Sequence, residues 1–264
     1  MNFFSRMVLI TALSCAVNCG LASEIKGDEK AIAIAKERKA RDTGWVANEA
    51  KVLMLLKNSQ GNEATRKLEV KSLEVEDDGD KALTVFESPR DVKGTAFLSF
   101  SHALEADEQW IFLPALKRVK RIASQSKSGP FVGSEFAFED MTSYEVEKFS
   151  YTFLGEEDVN GETCFVLKQV PEYDFSGYSY QKVWIDKAHY RVQKVEYYDR
   201  KESLLKTLHL SEYKQYKNKY WRPMKSLMRN MQTNKSTSLI TEELTFDTDL
   251  DESDFNKNSL KRAR

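Results

Sequence analysis

The stretch that decides the fold is AKVLMLLKNSQGNEATRKLEVK, residues 50–71. Ala50, Val52, Met54 and Leu56 recur at every second position. Gln60-Gly61-Asn62 then turns the chain, and Leu68 and Val70 alternate with Lys67, Glu69 and Lys71. A period of two puts the apolar set on one face of a strand, and a polar, glycine-bearing break between two such runs reads as a hairpin. A half-buried antiparallel pair therefore starts here.

Upstream the period is different. In DEKAIAIAKERKAR (28–41), Ala31, Ile34 and Ala35 share one side of a short amphipathic helix, with Gly27 or Asp28 to cap its start. Arg41-Asp42-Thr43-Gly44 ends it. Downstream the alternation persists to the end of the chain. After a turn at Asp77-Asp78-Gly79-Asp80 come Leu83 and Val85, then Ala96, Leu98 and Phe100, then Trp110 and Phe112. Val183 and Ile185 alternate with Lys182, Trp184 and Asp186. Further strands run through 192–198, 204–213, 221–231 and 238–246, with turns at Asn160-Gly161, Asp199-Arg200-Lys201 and Lys217-Asn218-Lys219. Closely spaced hairpins predict an antiparallel meander of about ten or eleven strands. A parallel sheet would need crossover helices, and no stretch has their length and period. Three segments break the pattern: 126–145, where SEFAFEDM (134–141) predicts a short helix with Phe138 and Met141 on one side; 171–177; and 251–261, read as a helix or capped coil. With no repeat, low-complexity tract or linker, residues 23–264 read as one domain.

Forty Lys and Arg against forty-one Asp and Glu leave a formal charge of −1, which argues against nucleic acid as the main partner, although a local basic patch stays open. Fifteen Phe and four Trp are too many for a disordered chain, and 31% charged residues too many for repeated membrane helices. Residues 1–22 read as a secretory signal peptide. Arg6 precedes an apolar run from Met7 to Val17, and Gly20 and Ala22 have the spacing a signal peptidase needs before Ser23. The alternative is a lipoprotein box in Ala12-Leu13-Ser14-Cys15, which would leave Cys15 lipidated. Cys15 and Cys19 leave with the leader, so Cys164 stands alone in an apolar strand, unable to form an intramolecular disulfide and read as a small buried hydrophobe. The expected compartment is the periplasm, and the expected state a monomer.

His102, His189 and His209 lie far apart, and the motifs of metal sites, phosphate loops and nucleophile elbows are absent. No catalytic residue, cofactor or metal is predicted. Glu139-Asp140 and Glu156-Glu157-Asp158 read as solvated turn carboxylates, although a hydrolase of envelope polymers remains a third reading of function. Two features stand out. Lys117, Arg118, Lys120 and Arg121 crowd one short run, either a solvated edge strand that resists aggregation or a dock for anionic headgroups or an acidic partner. Aromatic residues are also in surplus around the broken segments: Phe97, Phe131, Phe136, Phe138, Tyr173, Phe175 and Tyr178, with Met141. They form either an ordinary core or the walls of a ligand cavity between sheet and lid.

A set of blocks, in this order, is similar to bacterial outer-membrane lipoprotein-sorting proteins. They are SPRDVKGTAFL (88–98), EQWIFLPALKRVKRI (108–122), GSEFAFEDM (133–141), Trp184-Ile185-Asp186, Val195–Asp199 and Leu204–Leu208. The resemblance implies the LolA/LolB-like fold: a mainly β, unclosed, curved antiparallel barrel with short helices over its concave face. It also implies an apolar cavity for the acyl chains of a lipoprotein or lipid. Members often accompany exporters of the resistance-nodulation-division type, so an accessory subunit of such an exporter is the alternative function. Strand parity places Leu98, Phe100, Trp110, Phe112, Val183 and Ile185 on the concave face, with Phe136, Phe138 and Met141 in the lid.

Overall fold

The computed structural model describes residues 25–262. The expected signal peptide, with Cys15 and Cys19, lies outside them. Helix α1 (Glu29–Arg41) buries Ala31, Ile34 and Ala35, the stripe expected of it. Asp28 occupies the N-cap position, but its carboxylate accepts a hydrogen bond from the Phe153 N–H (2.9 Å) rather than from a helix amide. It ties the helix to the sheet instead of capping it.

Thirteen strands follow: β1 (Ala47–Lys57), β2 (Glu63–Leu73), β3 (Lys81–Ser88), β4 (Ala96–Phe100), β5 (Glu108–Leu113), β6 (Arg118–Arg121), β7 (Phe149–Val159), β8 (Glu162–Pro171), β9 (Tyr178–Asp186), β10 (Val192–Asp199), β11 (Leu204–Tyr216), β12 (Tyr220–Asn230) and β13 (Ser236–Phe246). All belong to one antiparallel sheet in the order β6-β5-β4-β3-β2-β1-β13-β12-β11-β10-β9-β8-β7. The expectation of ten or eleven undercounts them. β6 has only four residues, and β7 carries Gly155, Glu156, Glu157 and Asp158 in its second half, so neither shows a clear apolar alternation.

Two meanders, β1–β6 and β7–β13, are joined where β1 pairs with β13, and the sheet stays open between β6 and β7. Laid flat at the usual strand spacing, such a sheet would be about 58 Å wide. Yet one apolar cluster joins Val52, Leu68, Phe86, Phe97 and Ile111 of the first meander to Leu167, Val183, Val195 and Met228 of the second, around Ala31, Ile34 and Ala35 of α1. Only a strongly curved sheet brings those strands together. The hydrophobic gain of enclosing α1 and the lid drives that curvature.

A second cluster lies on the outer face. Leu73, Leu83, Val85, Ala96, Leu98 and Trp110 are covered by Phe255 and Leu260 of the C-terminal segment, which comprises a 3-10 turn (Glu252–Asp254) and the one-turn helix α2 (Ser259–Arg262).

The chain leaves β6 at one edge and must reach β7 at the other, so residues 122–148 cross the open side of the curve. They do so in short 3-10 turns (Phe131–Gly133, Phe138–Met141, Val146–Lys148) rather than in the single helix expected over 134–141. This crossing segment is the lid. At the β7 edge, Lys26–Asp28 add a parallel bridge, with the Asp28 N–H donating to the Tyr151 carbonyl and the Tyr151 N–H to Lys26, each at 3.0 Å. Among the described residues, β6 has no such cover.

Candidate functional site: a lidded cavity

The inner face is built from the even positions of β1 to β3 and the odd positions of β4 and β5, because the pairing sets Thr84 opposite Phe97 and Phe97 opposite Ile111. Phe131 of the lid packs on this surface, its ring centroid 5.1 Å from Phe97 and 5.9 Å from Phe86; Phe138 lies 5.7 Å from both Phe97 and Phe131.

Polar groups beneath the lid fix its position. Asp140 accepts hydrogen bonds from Lys206 Nζ (2.6 Å), Tyr178 Oη (2.8 Å) and the Ala137 N–H (2.7 Å), and both ends of the Lys206–Asp140 pair are nearly fully buried. Glu139 accepts from Tyr173, Ser176 and the Gly177 N–H. Burial, with Asp140 adjacent, raises the Glu139 carboxyl above its ordinary range. On the other side, Gln109 donates to the Phe138 carbonyl (2.8 Å) and Arg66 to that of Val132. Glu139 and Asp140 are therefore structural acids inside the protein, a correction to their reading as solvated turn residues. The FAFED sequence is a strap whose phenylalanines and acids both point inwards.

Between α1, the lid, β1–β4 and β10–β12 lies a cavity of about 770 Å³, within the range of small-molecule sites. Its walls are mixed. Val70, Phe97, Met141, Val192 and Leu210 are apolar, while Arg38, Tyr144, Arg191, Tyr213 and Trp221 form a cationic and aromatic mouth. Arg191 sits 4.8 Å from the Trp221 ring and bonds Asp186 (2.8 Å). Asp186 is fully buried, and burial opposes its charge, yet Arg191, the His189 N–H and Gln193 hold its carboxyl below the usual range. A smaller chamber of about 180 Å³ continues under the lid, lined by Val183, Val195, Tyr197 and Leu208 as well as Arg38, Glu139, Asp140 and Gln169.

The sequence-derived residues divide. Val183, Ile185, Phe136, Phe138 and Met141 belong to the inner cluster. Met141 lines the larger chamber and Val183 the smaller. Leu98, Phe100, Trp110 and Phe112 do not lie there. They sit in or against the outer cluster, with Phe100 and Trp110 ring to ring at 5.2 Å, and Phe97 and Ile111 take the inner places. The error has a physical origin. Ser99 and Gln109 face inwards and are buried, so the polar-apolar alternation of β4 and β5 points the wrong way. Phe175 is exposed rather than cavity-lining. Lys117, Arg118, Lys120 and Arg121 are all exposed on or beside the β6 edge, and only Arg121 has an ion-pair partner among the described residues, Glu108 at 3.1 Å. Cys164 is buried on the outer face, and burial pushes its thiol up to about 11. Among the described residues no cluster of His, Cys, Asp and Glu could hold a metal ion.

Arg38, Arg191 and the aromatic mouth were not anticipated. For Arg38 a signal existed: it continues the Ala31–Ile34–Ala35 side of α1 one turn further, a cation on an apolar stripe.

A family model described as "Uncharacterized protein" matches residues 78–262. No curated protein matches the chain. Among solved structures, an outer-membrane lipoprotein-sorting protein domain from Vibrio parahaemolyticus is 59% identical over 89% of this chain and 99% of its own, with a TM-score of 0.87. A DUF1329 family protein from Desulfovibrio piger is 27% identical, covering 87% of this chain and 97% of its own, at 0.82. A LolA superfamily protein from Nitrosomonas europaea, 18% identical over 87% and 98%, has a TM-score of 0.68 and shares the fold. An open, curved sheet with α1 and a strap across its hollow, together with these matches, places the chain in the outer-membrane lipoprotein-sorting protein family, with a LolA-like fold.

Proposed function

We propose that this protein is a periplasmic carrier that shelters the acyl chains of a lipoprotein or lipid on the way to the outer membrane. The observation that carries the reading is the cavity of about 770 Å³ between α1, the lid and the inner face of an unclosed sheet. The need for such a shelter follows from cost. Each exposed CH₂ is unfavourable by about 0.8 kcal/mol, so a chain of roughly sixteen carbons costs about 12 kcal/mol in water. Val70, Phe97, Met141, Val192 and Leu210 offer an apolar surface, and Arg38, which lines both chambers, suits the polar end of an amphiphile. Release then means handing the cargo to a tighter binder or to a membrane.

The exposed cations of the β6 edge support docking on an anionic membrane surface, where each basic residue contributes about 1 kcal/mol. Reversing Lys117, Arg118 and Lys120 to Glu should abolish co-sedimentation with vesicles containing phosphatidylglycerol; undiminished co-sedimentation refutes the docking role.

Two measurements test the carrier reading. The organic extract of the purified protein should contain an acyl lipid by mass spectrometry. After delipidation the protein should bind the neutral dye Nile red, and lipids should displace it. An empty extract with no dye binding rejects the reading, and a stable complex with an inner-membrane exporter would point to the accessory role instead.

A further inference from the structure

The cavity walls hold many charges, and nearly all are already matched. Lys39 pairs with Glu145 (2.8 Å), Arg41 with Glu37 (2.7 Å), Lys81 with Glu252 (2.9 Å) and Arg191 with Asp186; Arg222 pairs with Asp42, and Lys219 donates to the Thr43 carbonyl (2.6 Å). In the smaller chamber, Asp107 is held by Lys148 and Lys127, and Glu139 and Asp140 by the lid contacts described above.

Arg38 and Gln169 are among the donors there that stand unmatched by the described residues. Arg38, half-buried on α1, lines both chambers. Its guanidinium lies 3.8 Å from the Tyr144 ring centroid and makes no ion pair or hydrogen bond among the described residues. Gln169, 1% exposed on β8, lines the smaller chamber, and its Nε2 has no hydrogen-bond partner among the described residues. A half-buried cation and a buried N–H pair without acceptors are both unfavourable as they stand, and the same kind of group relieves both. That group is an oxyanion. A guanidinium presents paired N–H groups matched to a carboxylate or phosphate, and the stacking on Tyr144 fixes its plane in advance. At about 180 Å³ the chamber is below the size of a site for a whole lipid, but it has room for such a head. Of the neighbouring acids, Asp107 and Asp140 are matched by the charges of Lys148 and Lys206, and Glu139 is held by hydroxyl and amide donors.

Building on the carrier reading, we propose that the smaller chamber is an oxyanion site and that the cargo is an anionic amphiphile. Its carboxylate or phosphate is bound by Arg38 and Gln169, and its chain lies along the larger cavity.

The test is displacement of Nile red from the delipidated protein by palmitic acid, hexadecyl phosphate and hexadecanol, which share a chain and differ in head. The wild type should prefer one or both anions over the alcohol by about tenfold or more, and which anion wins distinguishes a carboxylate from a phosphate source. Arg38→Gln should bring acid, phosphate and alcohol to parity; Arg38→Lys should keep part of the preference. Gln169→Leu removes the unpartnered donor, so its melting temperature should hold or rise while the preference falls. Equal binding of acid, phosphate and alcohol by the wild type, or a preference that survives in Arg38→Gln, overturns the proposal and leaves the carrier reading standing. Failure of all three to displace the dye removes both.

Discussion

Two residues show how much the fold asks of single side chains. Gly27 has φ of +130°, and a Cβ there would meet the Tyr151 carbonyl oxygen at 2.0 Å. No side chain can yield, because the obstacle is backbone. Gly27→Ala should therefore cost about 2 kcal/mol or more in chemical denaturation, and should raise amide exchange at Tyr151 and Phe153 as the bridge to β7 opens. Asp80, on the cavity wall, makes a different demand. Burial, opposed by Lys39 and reinforced by Glu145, pushes its carboxyl from 3.8 up to about 7. Between those values the folded protein holds a proton that the unfolded chain has lost. Stability is thus lowered as pH rises through that window, and the loss is complete above it. Asp80→Asn abolishes the penalty. Its gain over the wild type should be near zero at pH 4 and reach about 3–4 kcal/mol at pH 8, read as paired melting curves. A gain independent of pH would assign it to something other than the proton.

On the carrier reading proposed above, the lid is the element on which a ligand depends most directly. Phe138 packs on Phe97 and Phe131, and its backbone carbonyl is held by Gln109. Phe138→Asp sets a carboxylate among rings where it cannot be solvated. Nile red binding should fall at least tenfold, while the melting transition stays cooperative, since the sheet ladder does not pass through the lid. Unchanged dye binding in a folded variant would mean that the ligand does not touch this strap. Elements were also where the sequence was most and least readable. α1, the hairpin at Gln60-Gly61-Asn62 and the strands from Val192 to Phe246 all follow from period and turn chemistry. The inner and outer faces of β4 could not, because residues 96–99 are buried on both sides and alternation loses its meaning there. The lid could not be read as helix or strand either. It is held by long-range bonds from Gln109, Tyr178 and Lys206, none of which leaves a local pattern.

At the scale of the whole molecule, the two apolar clusters lie on opposite faces of one sheet and do separate work. The outer one, sealed by Phe255 and Leu260, has no part in the cavity. Phe255→Ala should cost about 3–4 kcal/mol in a denaturant titration, yet leave the order of affinities among amphiphiles unchanged. A changed order would mean that the two faces communicate through the sheet. The antiparallel meander was legible in the run of short strands, and its curved, unclosed form only in the blocks shared with its family. The cationic mouth was not, because its members come from α1, the lid, β11, β12 and the loop before β10, and only the closed curve gathers them.

The pairing of β1 with β13 sets the order of events when the chain is made. Strand β1 emerges among the first residues and stays without its second partner until about 180 residues later, when Ser236–Phe246 appears. The two meanders can each zip by local hairpins, but the hollow between them exists only once this last seam closes. A chain delivered N-terminus first thus has no enclosed cavity until it is nearly complete.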